Sequence, residues 1–295
     1  MTADKFTPAA PRPAPEDLPP ARAKRPRRAL CLPAALLALI TLGCLGCELF
    51  IPRDPAYMDL ARCNVPPCRE FIFGTDGMGR DIFSMLWYGG RVSLGIGFAA
   101  AALSTLIAVV LGSIAGMATD GAEKLLMRAN EIVLSIPNLL LVLLVQALLG
   151  GNSAAGIALV LGLTGWMSMA RVVRVSVRQL RQSGYVLASR CMGGGFFHIL
   201  RRHLLPNFLP SIAYMVVMNV RSAIIAESTL SFMGLGLPPA VISWGSMLSL
   251  AEGALTGRQW WVIVIPGIFL VATVLCLTAL GGAMQEGGSR RHSNL

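Results

Sequence analysis

Six apolar runs, each close in length to the thickness of a lipid bilayer, set the limits on what this chain can fold into. They are Leu30 to Phe50, Val92 to Met117, Ile132 to Leu149, Ala154 to Ala170, Leu209 to Met233 and Trp260 to Met284. A helix needs roughly 20 such residues to cross the hydrocarbon core, where no water satisfies a free backbone group. The Leu209 to Met233 run carries two charges, Arg221 and Glu227. Apolar residues make up 55% of the chain and charged residues only 14%, with a mean hydropathy of +0.65, where a soluble domain carries roughly 25% charged residues. The expectation is an all-α integral membrane protein with six transmembrane helices.

Charge placement orients those helices, because Lys and Arg near span ends stay on the cytoplasmic side. With the N-terminus inside, 18 of the 25 Lys and Arg fall on the inner side. They lie before the first run, at Lys124 and Arg128, between Arg171 and Arg202, and at Arg290 and Arg291. Arg53, Arg62, Arg69, Arg80, Arg91 and Arg258 fall outside. Both termini are therefore expected in the cytoplasm. The net charge of +10 then reflects topology and anionic lipid headgroups, not nucleic acid.

The expected division follows. Residues 1–28 form a basic, Pro-rich cytoplasmic tail with too little apolar content to order. Residues 29–51 are the first transmembrane helix, read as uncleaved because its apolar run is too long for a secretory signal. Residues 52–90 are an extracytoplasmic segment, 91–285 the core, and 286–295 a short cytoplasmic tail. Five of the seven cysteines lie in or beside spans, where a thiol acts as a small apolar group. Cys63 and Cys68 flank a Pro-Pro turn on the oxidising face, and are expected as either a local disulfide or two free thiols. No metal site is expected there, since no His lies nearby.

The outer segment contains Gly74-Thr75-Asp76-Gly77-Met78-Gly79-Arg80-Asp81. It lacks the Gly-Lys-Ser/Thr of a phosphate loop. The expectation is a tight turn in which Asp76 bonds its own backbone and Asp81 favours the positive end of the next helix. The chain is expected to hold no nucleotide or other cofactor of its own.

Between the fourth and fifth runs, residues 184–206 read differently. After Ser183, a possible N-cap, two helical turns (Tyr185 to Met192) stop at Gly193-Gly194-Gly195, and a second short helix beginning at Phe196 ends at Pro206. The second piece puts Phe197, Leu200 and Leu204 on one face. Such a helix-turn-helix either lies among headgroups as a solvated linker, or docks on a partner and relays movement to the spans.

These residues resemble the inner-membrane permeases of binding-protein-dependent ABC importers, in the dipeptide, oligopeptide and nickel group. The coupling signature of that family, Glu-Ala-Ala-x3-Gly-x9-Ile-x-Leu-Pro, falls on Leu187, Ala188, Ser189, Gly193, His203, Leu205 and Pro206. Its spacing is complete, with departures at Leu187, Ser189 and His203. The Gly-rich turn, Gly90 to Leu94, Ile136-Pro137 and Leu230 to Gly236 with Trp244-Gly245 also look like the second permease of this group, so the likeness runs from about Phe73 to Gly282. The resemblance implies a type I ABC importer permease in the bacterial cytoplasmic membrane, not an enzyme. It would pair with a homologous permease and with two ATPases, which hold ATP and Mg2+ and seat the coupling loops. An extracytoplasmic binding protein would deliver a di- or oligopeptide, or alternatively nickel or a metal chelate.

Arg221 and Glu227 are costly against lipid and are expected either to pair with a polar group on another helix, such as Gln146, or to line the translocation path. Pro137 is expected to interrupt its helix, as a kink or as part of a gate. Ser243-Trp244-Gly245 suggests a short outer helix at the interface or against the binding protein, and Trp260 and Trp261 suggest interfacial anchors. A channel or an ion-driven carrier remains the alternative of another class. A channel would need no coupling loop, and a carrier would be expected to show internal repeats.

Overall fold

The structure, a computed structural model, describes residues 28–150, 153–250 and 259–292. The expected disordered tail lies largely outside these residues. Among them the chain is helical, with one isolated bridge, Thr75 to Asp81.

Helix α1 (Arg28–Leu45) is shorter than its apolar run. Gly46 follows it, and Cys47–Leu49 tightens into a 3-10 turn. That turn leaves Glu48 free to accept from Arg91 at 2.6 Å. Helix α2 (Ile82–Met117) starts ten residues before its apolar run, because Asp81 caps it and accepts from the Ser84 backbone N–H at 3.1 Å. Before it, Asp76 closes the Gly-rich turn as expected. Its carboxylate accepts from the Met78 and Arg80 backbone at 2.9 and 2.8 Å and from Arg80 Nε at 2.7 Å, all in a buried setting. Gly79 has φ +74°, and a Cβ there would fall 1.9 Å from the Asp59 carbonyl oxygen, so this position admits glycine alone.

The third and fourth runs are each broken. Helices α3 (Asp120–Leu134) and α4 (Asn138–Leu149) meet at 94°, and α5 (Ala154–Thr164) and α6 (Met167–Leu180) at 45°. Pro137 has no N–H to continue the ladder and biases Ile136 away from helix. The chain therefore turns there and restarts at Asn138. Gly150, at φ +64°, ends α4 in the left-handed conformation.

Helix α7 (Gly184–Cys191), the single turn α8 (Phe196–Ile199) and a wide π turn at Leu200–Leu204 lead into α9 (Leu205–Phe232). Pro206 does not end a helix. It falls in the first turn of α9, where a missing N–H costs no ladder bond. The main bend, of 80°, follows between Phe208 and Ile212. Helix α10 (Trp244–Ser249) begins with a reciprocal capping box between Ser243 and Ser246. Helix α11 (Trp260–His292) closes the described chain.

By length and composition, α2 and α11 can each cross a membrane, and the three bent pairs can do so as broken spans. Helix α1 is a shorter apolar helix. Helix α2 is the centre, packed on α5, α6 and α9. Close approach to α6 rests on Gly112 and Gly116, where a Cβ would meet the Ala170 carbonyl oxygen at 2.7 Å and Val177 at 2.8 Å. Small residues four apart are how helices approach closely where lipid supplies no hydrophobic drive.

Candidate functional site

The loop between α6 and α9 splits into two faces. Val186, Ile199 and Leu204 are fully buried and join Ala108 of α2, Val173 and Val177 of α6, and Phe208 and Ile212 of α9 in one cluster. Tyr185, Leu187, Met192 and Phe197 are exposed, the last two at 83% and 80%. The face expected from the pattern, Phe197 with Leu200 and Leu204, is thus divided: the π turn rotates Leu204 inward while Phe197 points out. The Ser183 hydroxyl donates back to the Leu180 carbonyl, while the Ser183 carbonyl accepts the Val186 and Leu187 N–H groups of α7, each at 3.1 Å. Gly193 supplies the φ of +84° at the turn, and the Gly194 N–H reaches the Ser189 carbonyl at 2.9 Å. Ser189 is buried under that turn and Ala188 is exposed. His203 stacks near Tyr185 with ring centroids 5.8 Å apart, while Leu205 is half-buried and Pro206 exposed. Leu187, the position where the resemblance expects Glu, lies on the open face at 50% exposure.

Beside this loop, Glu123 of α3 is buried between Arg174 and Arg178 of α6. Burial works to raise its pKa, but the hydrogen bond from Arg174 and the two guanidinium charges hold it below the ordinary carboxylate value of 4.5. The sequence reading used these arginines for orientation alone. Their spacing of four on one helix face was the signal for a shared carboxylate partner.

A cleft of about 400 Å³ opens where the breaks of α3–α4 and α5–α6 face the middle of α9. Pro137, Asn138, Thr164, Ser168, Asn219 and Ser222 line it. It contains no charged side chain, and Asn219 donates to Ser104 at 3.1 Å on a neighbouring wall. Of the three residues expected on a path, Pro137 is in the cleft, whereas Arg221 and Glu227 are not. Arg221 donates to Thr278 of α11 at 3.4 Å. Glu227 is fully buried among Ser93, Ser228 and Ser231. Its partners are thus serines and not Gln146. Asn138, Asn219 and Ser222 escaped the sequence reading, although polar residues inside apolar runs were the available sign.

The short helix suggested by Ser243-Trp244-Gly245 is α10, and its Trp244 is completely buried. Its Nε1 donates to the Leu86 carbonyl at 2.9 Å, and Gly90 makes room for the indole. Trp260 is exposed, but Trp261 is buried and donates to the Thr75 carbonyl at 3.1 Å. Cys63 and Cys68 are separate thiols, with Cys63 Sγ 3.3 Å from the Leu60 carbonyl.

Comparison with known proteins matches this arrangement. The chain is 36% identical over 265 residues to the dipeptide transport system permease protein DppC of Bacillus subtilis (strain 168), covering 90% of this chain and 82% of that one. It is 37% identical over 255 residues to the oligopeptide transport system permease protein OppC of the same organism, covering 86% and 81%. Among solved structures, an inward-facing form of the MetNI methionine ABC transporter superposes with a TM-score of 0.53 at 20% identity, covering 70% of this chain and 97% of that one. That likeness bears on the fold alone. With residues 108–291 matching the family model as well, the chain belongs to the binding-protein-dependent transport system inner membrane component family, and is a transport permease subunit, not an enzyme.

Proposed function

We propose that this chain forms half of the membrane path of an ATP-driven importer of short peptides, crossing a bacterial cytoplasmic membrane six times with both termini inside. The observation that carries the reading is the two-faced loop between α6 and α9. Its inner face is packed on α2, α6 and α9, and its outer face offers Leu187, Met192 and Phe197 to a partner. A helix pair so mounted transmits a push, because packed cores shift as units and do not deform continuously. The partners are two cytoplasmic ATPases, which hold ATP and Mg2+, a homologous permease that completes the path, and an extracytoplasmic binding protein that delivers cargo. This chain binds no cofactor. When the ATPases close on ATP, the loop follows and the bent spans rock.

Peptide is favoured over nickel by two observations. The names of the DppC and OppC relatives are those of dipeptide and oligopeptide systems. The cleft lining offers hydroxyls and amides, which complement the N–H and C=O groups of a peptide. The test is a cysteine at Gly194, crosslinked in membranes containing the whole complex, together with uptake of a labelled dipeptide in vesicles. Capture of an ATPase subunit and ATP-dependent dipeptide uptake are the expected results. Labelling of that cysteine only from the outer side would overturn the orientation, and nickel uptake without dipeptide uptake would overturn the cargo.

A further inference from the structure

The Glu227 carboxylate sits where three segments distant in sequence cross. Ser93 of α2 lies 3.1 Å from Oε2, Ser231 lies 3.0 Å from Oε1, and Ser228 lies 3.4 Å from Oε2. The Ser93 oxygen accepts the Trp244 backbone N–H at 3.1 Å, and the Ser231 oxygen accepts that of Leu237 at 3.4 Å. Ser243, next in the chain to Trp244, accepts the Ser246 N–H at 3.0 Å and so caps the short helix of that segment. A hydroxyl whose oxygen already accepts an N–H has one proton left to give, and a carboxylate is the side chain with about four acceptor sites. One group thus holds α2, α9 and the segment from Leu237 to Ser246 together. No side chain intervenes: a Cβ on Gly236 would fall 2.4 Å from Ser231, and one on Gly245 2.6 Å from Ser228.

The same helix begins at the coupling loop. Leu204, Phe208 and Ile212 belong to one inner cluster, whose packing spans the 80° bend of α9, and from Ile212 to Phe232 the helix contains neither glycine nor proline. We infer that Glu227 is a positioning residue outside the path, the joint by which the outer segment Leu237 to Ser246 and the coupling loop move as one through α9. This rests on the importer reading above. Arrival of a loaded binding protein outside is then felt by the ATPases.

The test uses the complete complex, with its second permease and ATPases, in lipid nanodiscs, and compares ATP hydrolysis with and without loaded binding protein. An amide at this position offers one acceptor oxygen where the carboxylate offers two, so one set of serine hydroxyls faces N–H donors in place of an acceptor. Glu227→Gln is therefore expected to keep basal hydrolysis while stimulation by the binding protein falls roughly tenfold or more, the equivalent of one charge-assisted hydrogen bond. Glu227→Asp is expected to recover part of it. Full stimulation in Glu227→Gln overturns the inference. If Glu227→Gln does not assemble, the double variant Ser93→Ala, Ser231→Ala decides: lost stimulation in an assembled complex supports the joint, and full stimulation overturns it. A native complex indifferent to every binding protein fails earlier, and takes the importer reading down with the inference.

Discussion

Arg178 of α6 donates through one nitrogen to both carboxylate oxygens of Glu123 in α3, at 3.0 and 3.1 Å, and so ties the amphipathic α3 to the C-terminal end of α6. Glu123 is buried, while Arg178 remains 48% exposed. Glu123→Ala is expected to cost about 1–2 kcal/mol, less than the loss of a fully buried pair because the arginines reach water. For a chain of this size that is a fall of about 2–4 °C in the thermal midpoint, read in detergent.

The same pair predicts a pH dependence. The folded pKa of Glu123 lies below its ordinary 4.5, so its contribution is complete above 4.5 and is lost as pH falls through the lowered value. The difference in thermal midpoint between the native protein and Glu123→Gln is expected to be constant near about pH 7 and to shrink below about pH 4. A difference that grows on acidification would refute the pairing.

Leu204 and Phe197 belong to one loop but face opposite ways. Leu204→Ala empties a site in the inner cluster and is expected to destabilise the subunit by about 2–5 kcal/mol. Phe197→Ala removes an exposed ring and is expected to leave the thermal midpoint unchanged while weakening ATPase capture roughly tenfold. Pull-down and thermal shift on the two variants separate the roles; a reversed pattern would mean that the faces are misassigned.

Gly112 leaves no space for a side chain beside the Ala170 carbonyl. Gly112→Ala is expected to cost about 1–3 kcal/mol by forcing α2 from α6, and Gly112→Leu to abolish recovery of folded subunit on size exclusion.

Asn219 turns an amide toward the cleft from the middle of α9. Asn219→Leu is expected to lower peptide uptake several-fold, with assembly and ATP hydrolysis retained, since it changes the cleft wall and removes only one hydrogen bond, to Ser104. Uptake at the native rate would remove this cleft from the path.

Local chemistry made much of this legible. Asp76 and Asp81 act through neighbours within five residues, and both did what the Gly-rich turn suggested. Pro137 announced a break but not its 94°, which depends on how α3 and α4 pack elsewhere, including the Asn130 amide on the Met167 carbonyl. Ser243-Trp244-Gly245 marks a short helix in the sequence, but nothing nearby reveals that the Trp244 indole finds the Leu86 carbonyl, 158 residues away. Glu227 is visible as a costly residue, and Ser228 and Ser231 lie within a turn of it, but only the fold brings Ser93 from 134 residues away. Pro206 misled for a simpler reason: proline reads as a stop unless the helix is known to begin just before it.

On the importer proposal, a cleft lined by hydroxyls, amides and aliphatic side chains, with no charge among its described lining residues, gives this subunit no electrostatic preference to express. Lysine-rich and aspartate-rich cargoes would meet the same wall on this side. Discrimination would then be exercised at the doorstep by whatever hands the molecule over, and one membrane subunit would serve as many cargoes as its courier will carry.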